Sequence, residues 1–388
     1  MKILNIIASM NPIGGGPAEG VRRYDEIFTR MGHTCTTVSL DTPAERVALQ
    51  ADYAGKLVTL GNGIGGYGYL PALVPWLRRN AASHDVVIIQ GIWQYHSLAV
   101  WRALARTDTP YYVFTHGMLD PWFKKTYRLK HQKKLIYWLM AERRVLRDAR
   151  AILFTCEDER LLARESFPFY DVREIVSGYG TASPPEDNEG LSFSFRNQYP
   201  EIKKKKIILF LSRIHQKKGC DLALEAFSRV AHENPDLHLV IAGPDHGNWL
   251  PKLQARAQEL NIASRVTWPG MLRGKEKWGA FYAADVFLLP SHQENFGIVV
   301  AEALGCGKPV LISKQVNIWR EVLAEGAGFA AEDTLAGTLD NLNRWLDMSD
   351  TERSAIEQRA LNCFRGSFHI ERAVERLLDI FRKDGIIS

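Results

Sequence analysis

The chain has 388 residues, enough for two or three domains, and its 46% hydrophobic and 24% charged residues are typical of a globular protein. This composition excludes a disordered, collagen-like or coiled-coil chain. The formal net charge is +5. The five cysteines are odd in number and include no Cys-x-x-Cys pair, which favours a cytoplasmic protein over a disulfide framework. No run of 18 apolar residues occurs, so no membrane-spanning helix is expected.

The first half of the chain alternates short apolar runs with helical segments. KILNIIAS has the length of a buried strand, and it is followed by the loop NPIGGGPAEG and a helical segment that ends before Gly32. Further strand candidates are HTCTTVSL, KLVTL, DVVIIQ, PYYVFTH and AILFTC. Continuous apolar strands that alternate with helices predict a parallel α/β sheet with both faces covered.

The second half repeats this alternation after a break rich in Ser, Gly and Pro at 177–190. Its strand candidates are KKKKIILFLSR, LHLVIAGP, SRVTWPG, ADVFLLPS and KPVLIS. We therefore predict two doubly wound, Rossmann-like α/β domains that face each other across a cleft. The predicted boundaries are 1–182 for the first domain, 183–200 for a linker and 201–369 for the second domain. The C-terminal helix, 370–388, is predicted to pack back on the first domain.

Two glycine-rich loops could approach a ligand closely. Gly14, Gly15 and Gly16 follow the first strand, where the start of the next helix offers free N–H groups to an anion. A turn that needs glycine only for its torsion angles is the alternative. A G-x-G-x-x-G motif at 61–66 follows the third strand, and Asp85 precedes the next strand instead of ending it. A nicotinamide site is therefore disfavoured, and a flexible loop is the simpler interpretation.

The segment SRIHQKKG carries cations between a strong strand and a helix. Arg213, Lys217 and Lys218 would gather near the carboxyl end of that strand. Such cations suit a diphosphate, which arginine can bind through two nitrogens and lysine as a point charge. For the lysine run at 203–206 an ordinary solvated surface is the simpler interpretation.

The segment PSHQENFGIVVAEALGCGKPV places two carboxylates around the start of a helix. Glu294 lies in a loop after a strand, and Glu302 lies on the helix that begins near Phe296 and Gly297. Carboxylates accept hydrogen bonds from hydroxyls, and the free N–H groups of a helix start bind phosphate or hydroxyl oxygens. The alternative is a Glu294 that only complements the helix dipole and a Glu302 on the surface.

Together these motifs resemble the family 4 glycosyltransferases, over nearly the whole chain. The resemblance is carried by GGG after the first strand, GH at 32–33, R-I-x-x-x-K-G at 213–219 and E-x-F-G-x-x-x-x-E-A at 294–303. HGMLDPW at 116–122 is similar to a bacterial subgroup that builds surface polysaccharides. The resemblance implies the two-domain GT-B fold and a retaining transfer from a UDP-sugar donor to a glycan or lipid-linked acceptor.

The resemblance also implies roles for particular residues. Arg213 and Lys218 would hold the diphosphate and stabilise it as it departs, and His116 would contact the donor sugar near the reacting carbon. Glu294 would bind sugar hydroxyls, and Glu302 would bind the ribose hydroxyls. The other residues implied to line the donor site are Gly15, Gly16, Gly270, Met271, Leu272, Phe296, Gly297 and Ile298.

No metal cofactor is expected. The chain contains no Asp-x-Asp triplet, which usually carries the divalent metal in the other main glycosyltransferase fold, so the basic residues would replace the metal. A nucleotide-sugar epimerase or a soluble glucan synthase of the same fold is the alternative function. A basic membrane- or nucleic-acid-binding module without turnover is the alternative outside enzymes.

One segment, 122–150, holds ten basic residues against two acidic ones, with five aromatic residues among them. Leu135, Leu139 and Leu146 are predicted to face a core while the arginines face outward. An amphipathic basic surface held against anionic lipid on the cytoplasmic face of the inner membrane is the favoured interpretation. The alternatives are an ordinary solvated helix and, less favoured, a nucleic-acid surface, so no nucleic-acid partner is expected.

Overall fold

The computed structural model describes residues 1–11, 16–51, 53–122, 124 and 128–387. The chain divides into two compact units. The first comprises Met1–Tyr179 together with Ile370–Ser388, and the second comprises Gly180–His369. Each unit is built on one parallel sheet with helices between its strands. The predicted pair of Rossmann-like α/β sheets is confirmed.

The first unit contains a seven-stranded parallel sheet in the order β3-β2-β1-β4-β5-β6-β7. Its strands are β1 Lys2–Ile7, β2 Thr34–Ser39, β3 Lys56–Thr59, β4 Val86–Gln90, β5 Tyr111–Phe114, β6 Ala151–Phe154 and β7 Glu174–Val176. Its helices are α1 Gly16–Arg30, α2 Arg46–Ala51, α3 Leu73–Asn80, α4 Tyr95–Leu104, α5 Arg128–Tyr137, α6 Arg143–Arg147 and α7 Glu157–Ala163. A π-helical turn, Trp138–Glu142, joins α5 to α6.

The second unit contains a six-stranded parallel sheet in the order β10-β9-β8-β11-β12-β13. Its strands are β8 Lys206–Leu211, β9 Leu237–Ala242, β10 Val266–Gly270, β11 Val286–Leu289, β12 Val310–Ser313 and β13 Gly328–Ala331. Its helices are α8 Asn188–Gln198, α9 Cys220–Ala231, α10 Leu250–Glu259, α11 Gly274–Ala283, α12 Ile298–Gly305, α13 Trp319–Ala324, α14 Leu335–Leu346 and α15 Asp350–Cys363.

The central strands are buried along their whole length, as their continuous apolar runs predict. The sequence reading missed β7 and β13, which lie at the edges of the two sheets. β7 has only three residues and none of them is fully buried, so it lacks an apolar run. β13 has the sequence GFAA, whose small residues lack the β-branched side chains typical of strands.

A helix occupies most of the predicted linker at 183–200. Asp187 caps α8 by accepting a hydrogen bond from the N–H of Gly190 at 3.1 Å. Leu191 and Phe195 are buried, and α8 packs on α11 so closely that a Cβ at Gly279 would lie 2.7 Å from the Leu191 carbonyl oxygen. Burial of this apolar face outweighs the loop-forming composition of the preceding residues.

The last helix, α16 Ile370–Lys383, belongs to the first unit. One face of it is buried, including Leu377 and Phe381. Asp384, just after the helix, accepts hydrogen bonds from the Tyr112 hydroxyl at 2.5 Å and from Arg173 at 2.7 Å. None of the described helices combines the length and apolar character needed to cross a bilayer.

Candidate active site

The strand order places a topological switch point between β8 and β11 in the second unit, where parallel α/β sheets commonly bind ligands. The loop after β11 is fastened on both sides at this point. The Ser291 hydroxyl donates to the carbonyl oxygen of Lys217 at 3.0 Å, in the turn after β8. The N–H of Glu294 donates to the carbonyl of Gln315 at 2.9 Å, beyond β12. The position of Glu294 is therefore set by the ends of three strands.

Lys218 and Glu294 form an ion pair across the switch point, from Nζ to Oε2. Lys218 is buried, and Glu294 is mostly covered. Gly219 makes this approach possible because it has a φ of +68°, and a Cβ there would lie 2.2 Å from the Pro290 carbonyl oxygen. The glycine that follows the lysine in the sequence motif is thus required by a close approach of two loops.

Arg213 lies two residues after the end of β8 and is exposed. Its guanidinium therefore adds an accessible positive charge near the carboxyl edge of the sheet. An arginine and a lysine at one edge can bind a diphosphate through charge-assisted hydrogen bonds.

The start of α12 contributes backbone donors next to Glu294. Gly297 precedes the helix with a φ of +73°, and a Cβ there would lie 3.2 Å from both Glu294 Cγ and Val316 Cγ1. Phe296 is buried with its ring against Phe368, at a centroid distance of 5.7 Å, so its side chain belongs to the core. The N–H groups of Val300 and Ala301 donate to the Gly297 carbonyl at 2.8 and 3.3 Å. The donors that this helix start can offer to an anion are therefore the N–H groups of Ile298 and Val299.

Glu302 lies in the second turn of α12 and is buried. Lys277 on α11 donates to its Oε1 at 2.7 Å. Sequence reasoning did not single out Lys277, because a lone lysine in the helical segment GKEKWGAFYA carries no motif. The structure thus pairs each of the two predicted carboxylates with a lysine from a different element.

Gly270 ends β10, and Met271 and Leu272 follow it at the same edge of the sheet. Gly270 has a φ of +75° with open space where a Cβ would lie, and its carbonyl accepts from the N–H of Gly243 at 2.7 Å. Met271 is exposed, whereas Leu272 is buried. This turn can therefore present its backbone to a ligand, as the resemblance implies.

His116 lies in the first unit, directly after β5. Its φ of +49° is unusual for a residue other than glycine. Its Nε2 lies 2.8 Å from Gln90 Oε1, and its ring stacks on Phe114 with a centroid distance of 5.5 Å. Burial lowers the pKa of the His116 imidazole to about 4, so the ring is neutral near pH 7.

A buried carboxylate, Glu159 on α7, holds the loop that carries His116. Its Oε1 accepts from the Thr115 hydroxyl at 2.8 Å and from the N–H of Gly117 at 2.6 Å. Its Oε2 accepts from the N–H of Thr155 at 2.7 Å. Sequence reasoning missed Glu159, although three successive acids at the start of a helix after a strand were a signal.

The other predicted residues of the first unit lie in the glycine loop. Gly16 is the first residue of α1, and its carbonyl accepts from the Tyr179 hydroxyl at 3.3 Å. Gly15 lies outside the described residues. No group of three His, Cys, Asp or Glu residues that could hold a metal ion occurs in the described ranges.

The basic segment exposes apolar side chains as well as cations. Leu129, Ile136 and Met140 are 77%, 61% and 69% exposed, and the spacing of seven places Leu129 and Ile136 on one face of α5. Leu139 is also exposed, so its predicted orientation toward a core is wrong: the π-helical turn that begins at Trp138 rotates the chain there. Residues 123 and 125–127 of this segment lie outside the described residues.

Two family models match the chain. The model of glycosyl transferases group 1 matches residues 192–361, and the model of the glycosyl transferase 4-like domain matches residues 15–180. The D-inositol 3-phosphate glycosyltransferase of Segniliparus rotundus is 30% identical over 187 residues, which are 45% of this chain and 39% of that protein. The same enzyme of Mycobacterium marinum is 28% identical over 193 residues, 46% of this chain and 39% of that protein. The matched region spans about two fifths of the length of these curated relatives.

Solved structures share the fold over the whole chain. HepE from Anabaena, in complex with UDP, has a TM-score of 0.76 at 17% identity and covers 99% of this chain and 100% of its own. Sucrose-phosphate synthase from Thermosynechococcus elongatus has a TM-score of 0.74 at 18% identity, with 100% of each chain covered. WaaG, a glycosyltransferase involved in lipopolysaccharide biosynthesis, has a TM-score of 0.67 at 15% identity over 98% of this chain and 99% of its own.

Proposed function

Because the chain belongs to the family 4 glycosyltransferases, we propose that it transfers a sugar from a UDP-sugar to a glycan or lipid-linked oligosaccharide acceptor. The transfer retains the anomeric configuration and serves bacterial surface polysaccharide synthesis. The UDP bound to HepE and the role of WaaG in lipopolysaccharide biosynthesis support this choice of donor and pathway class.

The observation that carries the proposal is the Lys218–Glu294 ion pair near the start of α12. Arg213, after β8, is exposed and adds a second cation. When the bond from the sugar to the diphosphate breaks, its electron pair passes to the diphosphate. In the proposed reaction, Arg213, Lys218 and the N–H groups of Ile298 and Val299 at the start of α12 stabilise that charge. The electrostatic groups therefore act on the leaving group, where charge develops in the transition state.

Each carboxylate has a separate task in this proposal. An entering diphosphate competes with Glu294 for Lys218, which frees Glu294 to accept hydrogen bonds from sugar hydroxyls. Glu302, held by Lys277, keeps one oxygen for the ribose hydroxyls. His116 contacts the donor sugar near the reacting carbon, and Gly270 to Leu272 meet the base through their backbone. The reaction needs no metal, because Arg213 and Lys218 supply the positive charge.

We also infer that the basic segment brings the protein to the cytoplasmic face of the inner membrane, where a lipid-linked acceptor resides. The exposed side chains of Leu129, Ile136 and Met140 can enter the headgroup region. Lys133 and Arg144 are exposed on the same segment and can pair with anionic lipid.

The transfer proposal is tested by assaying sugar release and transfer from a panel of UDP-sugars, with glycan, lipid-linked and inositol phosphate acceptors. Lys218→Met and Glu294→Ala are each expected to lower kcat/KM by roughly 10²-fold or more, because they remove groups that act in the transition state. Lys204→Met, in the lysine run at 203–206, is the matched control and should leave the rate unchanged. A wild-type protein that binds a UDP-sugar without any turnover would support a binding module instead.

A further inference from the structure

Three polar side chains form a buried chain beneath His116 in the first unit. Asp25, Asn5 and Gln90 are 1%, 2% and 8% exposed. Asn5 lies on β1 and Gln90 ends β4, its neighbour at the centre of the sheet, while Asp25 lies on α1. Buried polar groups are costly unless each finds a partner, so the direction of every hydrogen bond in this chain is constrained.

The constraint begins at Asp25. The hydroxyls of Tyr53 and Thr37 both reach its Oδ2, the latter at 3.3 Å. Burial raises the pKa of Asp25 to about 6, so its carboxylate is ionised near pH 7 and only accepts hydrogen bonds. Asn5 must therefore turn its amide nitrogen toward it, at 3.0 Å from Oδ1. The amide oxygen of Asn5 then faces the opposite way, toward Gln90.

The same constraint fixes the hydrogen bonds between Asn5 and Gln90 and between Gln90 and His116. Because the oxygen of Asn5 faces Gln90, the amide nitrogen of Gln90 must donate to it, and the two atoms are 3.0 Å apart. The Gln90 oxygen therefore faces His116 Nε2 at 2.8 Å and can only accept. Nε2 must carry the proton.

We propose that the chain Asp25–Asn5–Gln90 holds His116 in its Nε2–H tautomer and so reserves Nδ1 to accept a hydrogen bond from a hydroxyl of the donor sugar. The inference rests on the proposed function, in which His116 contacts that sugar. Asp25, Asn5 and Gln90 are positioning residues, because they act only through the imidazole. A partner on one ring nitrogen decides which protonation the other presents.

Two further features of the site support this assignment. Burial lowers the pKa of the His116 imidazole, so the ring is neutral near pH 7. The hydrogen bonds from Asp25 through Asn5 and Gln90 therefore control its tautomer and not its charge. The carboxylate of Glu159 fastens Thr115 and Gly117 on either side of His116. The ring is therefore held both through its backbone and through one nitrogen, with Nδ1 left for a ligand.

The test is NMR of protein labelled with ¹⁵N-histidine, in which ring nitrogen shifts report the tautomer. His116→Gln identifies the His116 signals by their loss. Asn5→Leu breaks the chain between Asp25 and Gln90, and Gln90→Met removes the acceptor if Asn5→Leu does not fold. Thr37→Val is the matched control, because it removes a hydrogen bond to Asp25 without changing the direction of the chain.

In the wild type the His116 signals are expected to show the Nε2–H tautomer, and in Asn5→Leu or Gln90→Met a mixture of both. These variants should lower kcat on the order of tenfold while the donor KM changes little. Thr37→Val should lower the thermal midpoint and leave tautomer and kcat as in the wild type. An Nδ1–H tautomer in the wild type, or an unchanged tautomer in both chain variants, would overturn the inference. A wild type without transfer activity would overturn the proposed function, while the NMR result would still decide the tautomer.

Discussion

At the residue scale, the candidate site is a set of charges that neutralise one another before any ligand arrives. Lys218 pairs with Glu294, and Lys277 pairs with Glu302. Buried charges are tolerated only when they are paired and hydrogen-bonded. A diphosphate that takes over Lys218 therefore exchanges one partner for another and leaves no lysine unpaired.

Glu159 offers a test of how the His116 loop is held. Glu159→Gln keeps the shape of the side chain but replaces one accepting oxygen with a donor. Oε1 accepts from Thr115 and Gly117, and Oε2 accepts from the N–H and the hydroxyl of Thr155, so two donors lose their acceptor whichever oxygen is replaced. Unpaired buried donors cost about 1–3 kcal/mol, and we expect a loss of stability in that range by urea denaturation. Glu157→Gln, on the same helix but partly exposed, should cost less than about 0.5 kcal/mol. Equal effects of the two substitutions would contradict this role of Glu159.

Glu142 predicts a pH dependence of stability. It is fully buried in the π-helical turn, where the Ser97 hydroxyl donates to it at 3.2 Å, and burial raises the pKa of its carboxyl to about 7. The folded chain keeps this proton between about pH 4.5 and 7 while the unfolded chain loses it. The contribution of Glu142 is therefore present at low pH and is lost as the pH rises through this window.

Glu142→Gln removes that titration. Denaturant unfolding at a series of pH values should show the wild type losing stability relative to Glu142→Gln, by about 3 kcal/mol between pH 4.5 and 7. The difference between the two proteins should then stay constant above that range. A difference that is independent of pH throughout would refute the raised pKa.

The sequence predicted which residue types form the site but not their partners. Glu294 and Lys218 were recognisable from motifs with fixed spacing, whereas Lys277 and Glu159 act through contacts between distant segments. The left-handed backbone of His116 was not predictable either, because the residue is not a glycine and its neighbours Thr115 and Gly117 are held by Glu159 from a distant segment. Partners set by tertiary packing leave no local pattern for a sequence reading to detect.

At the element scale, the start of α12 depends on one glycine. Gly297→Ala would force a side chain into the left-handed region, within 3.2 Å of Glu294 Cγ and Val316 Cγ1. We expect a cost of about 1–3 kcal/mol in thermal unfolding and a weaker affinity for UDP, because the first turn and Glu294 must shift. Gly366→Ala is the matched control, since a Cβ there has no atom within 4 Å. It should be neutral or slightly stabilising, and an equal cost at both glycines would contradict the account.

The sequence predicted the central strands but not the helix α8 or the exposure of Leu139. The apolar runs of the central strands predicted their positions well, because burial on both faces leaves a continuous signal. The helix α8 was hidden in a segment whose first residues have the composition of a loop, and only Leu191 and Phe195 against α11 reveal its buried face. Leu139 fits a helical period that the π-helical turn interrupts.

At the scale of the whole molecule, the excess of basic residues in segment 122–150 predicts which surface would contact a membrane. Replacing Lys130, Lys133, Arg143 and Arg144 with glutamine should weaken sedimentation with vesicles rich in anionic lipid, because each cation near such a surface contributes about 1 kcal/mol. Replacing Lys203, Lys204, Lys205 and Lys206 in the same way removes the same number of charges elsewhere and is the control for charge alone. Wild-type binding should fall as salt is raised. Equal losses in both variants would indicate non-specific attraction and contradict a dedicated surface.

The central claim is that the second unit binds the UDP portion of a sugar donor through Lys218 and the start of α12. It is tested most directly by thermal unfolding with UDP, GDP, ADP or NAD, each with and without a chelator. A ligand at about 100 times its Kd adds roughly 2.7 kcal/mol, which raises the midpoint by a few degrees. We expect a shift with UDP that the chelator leaves unchanged and that Lys218→Met abolishes. A shift with NAD alone, or a UDP shift that survives Lys218→Met, would contradict it.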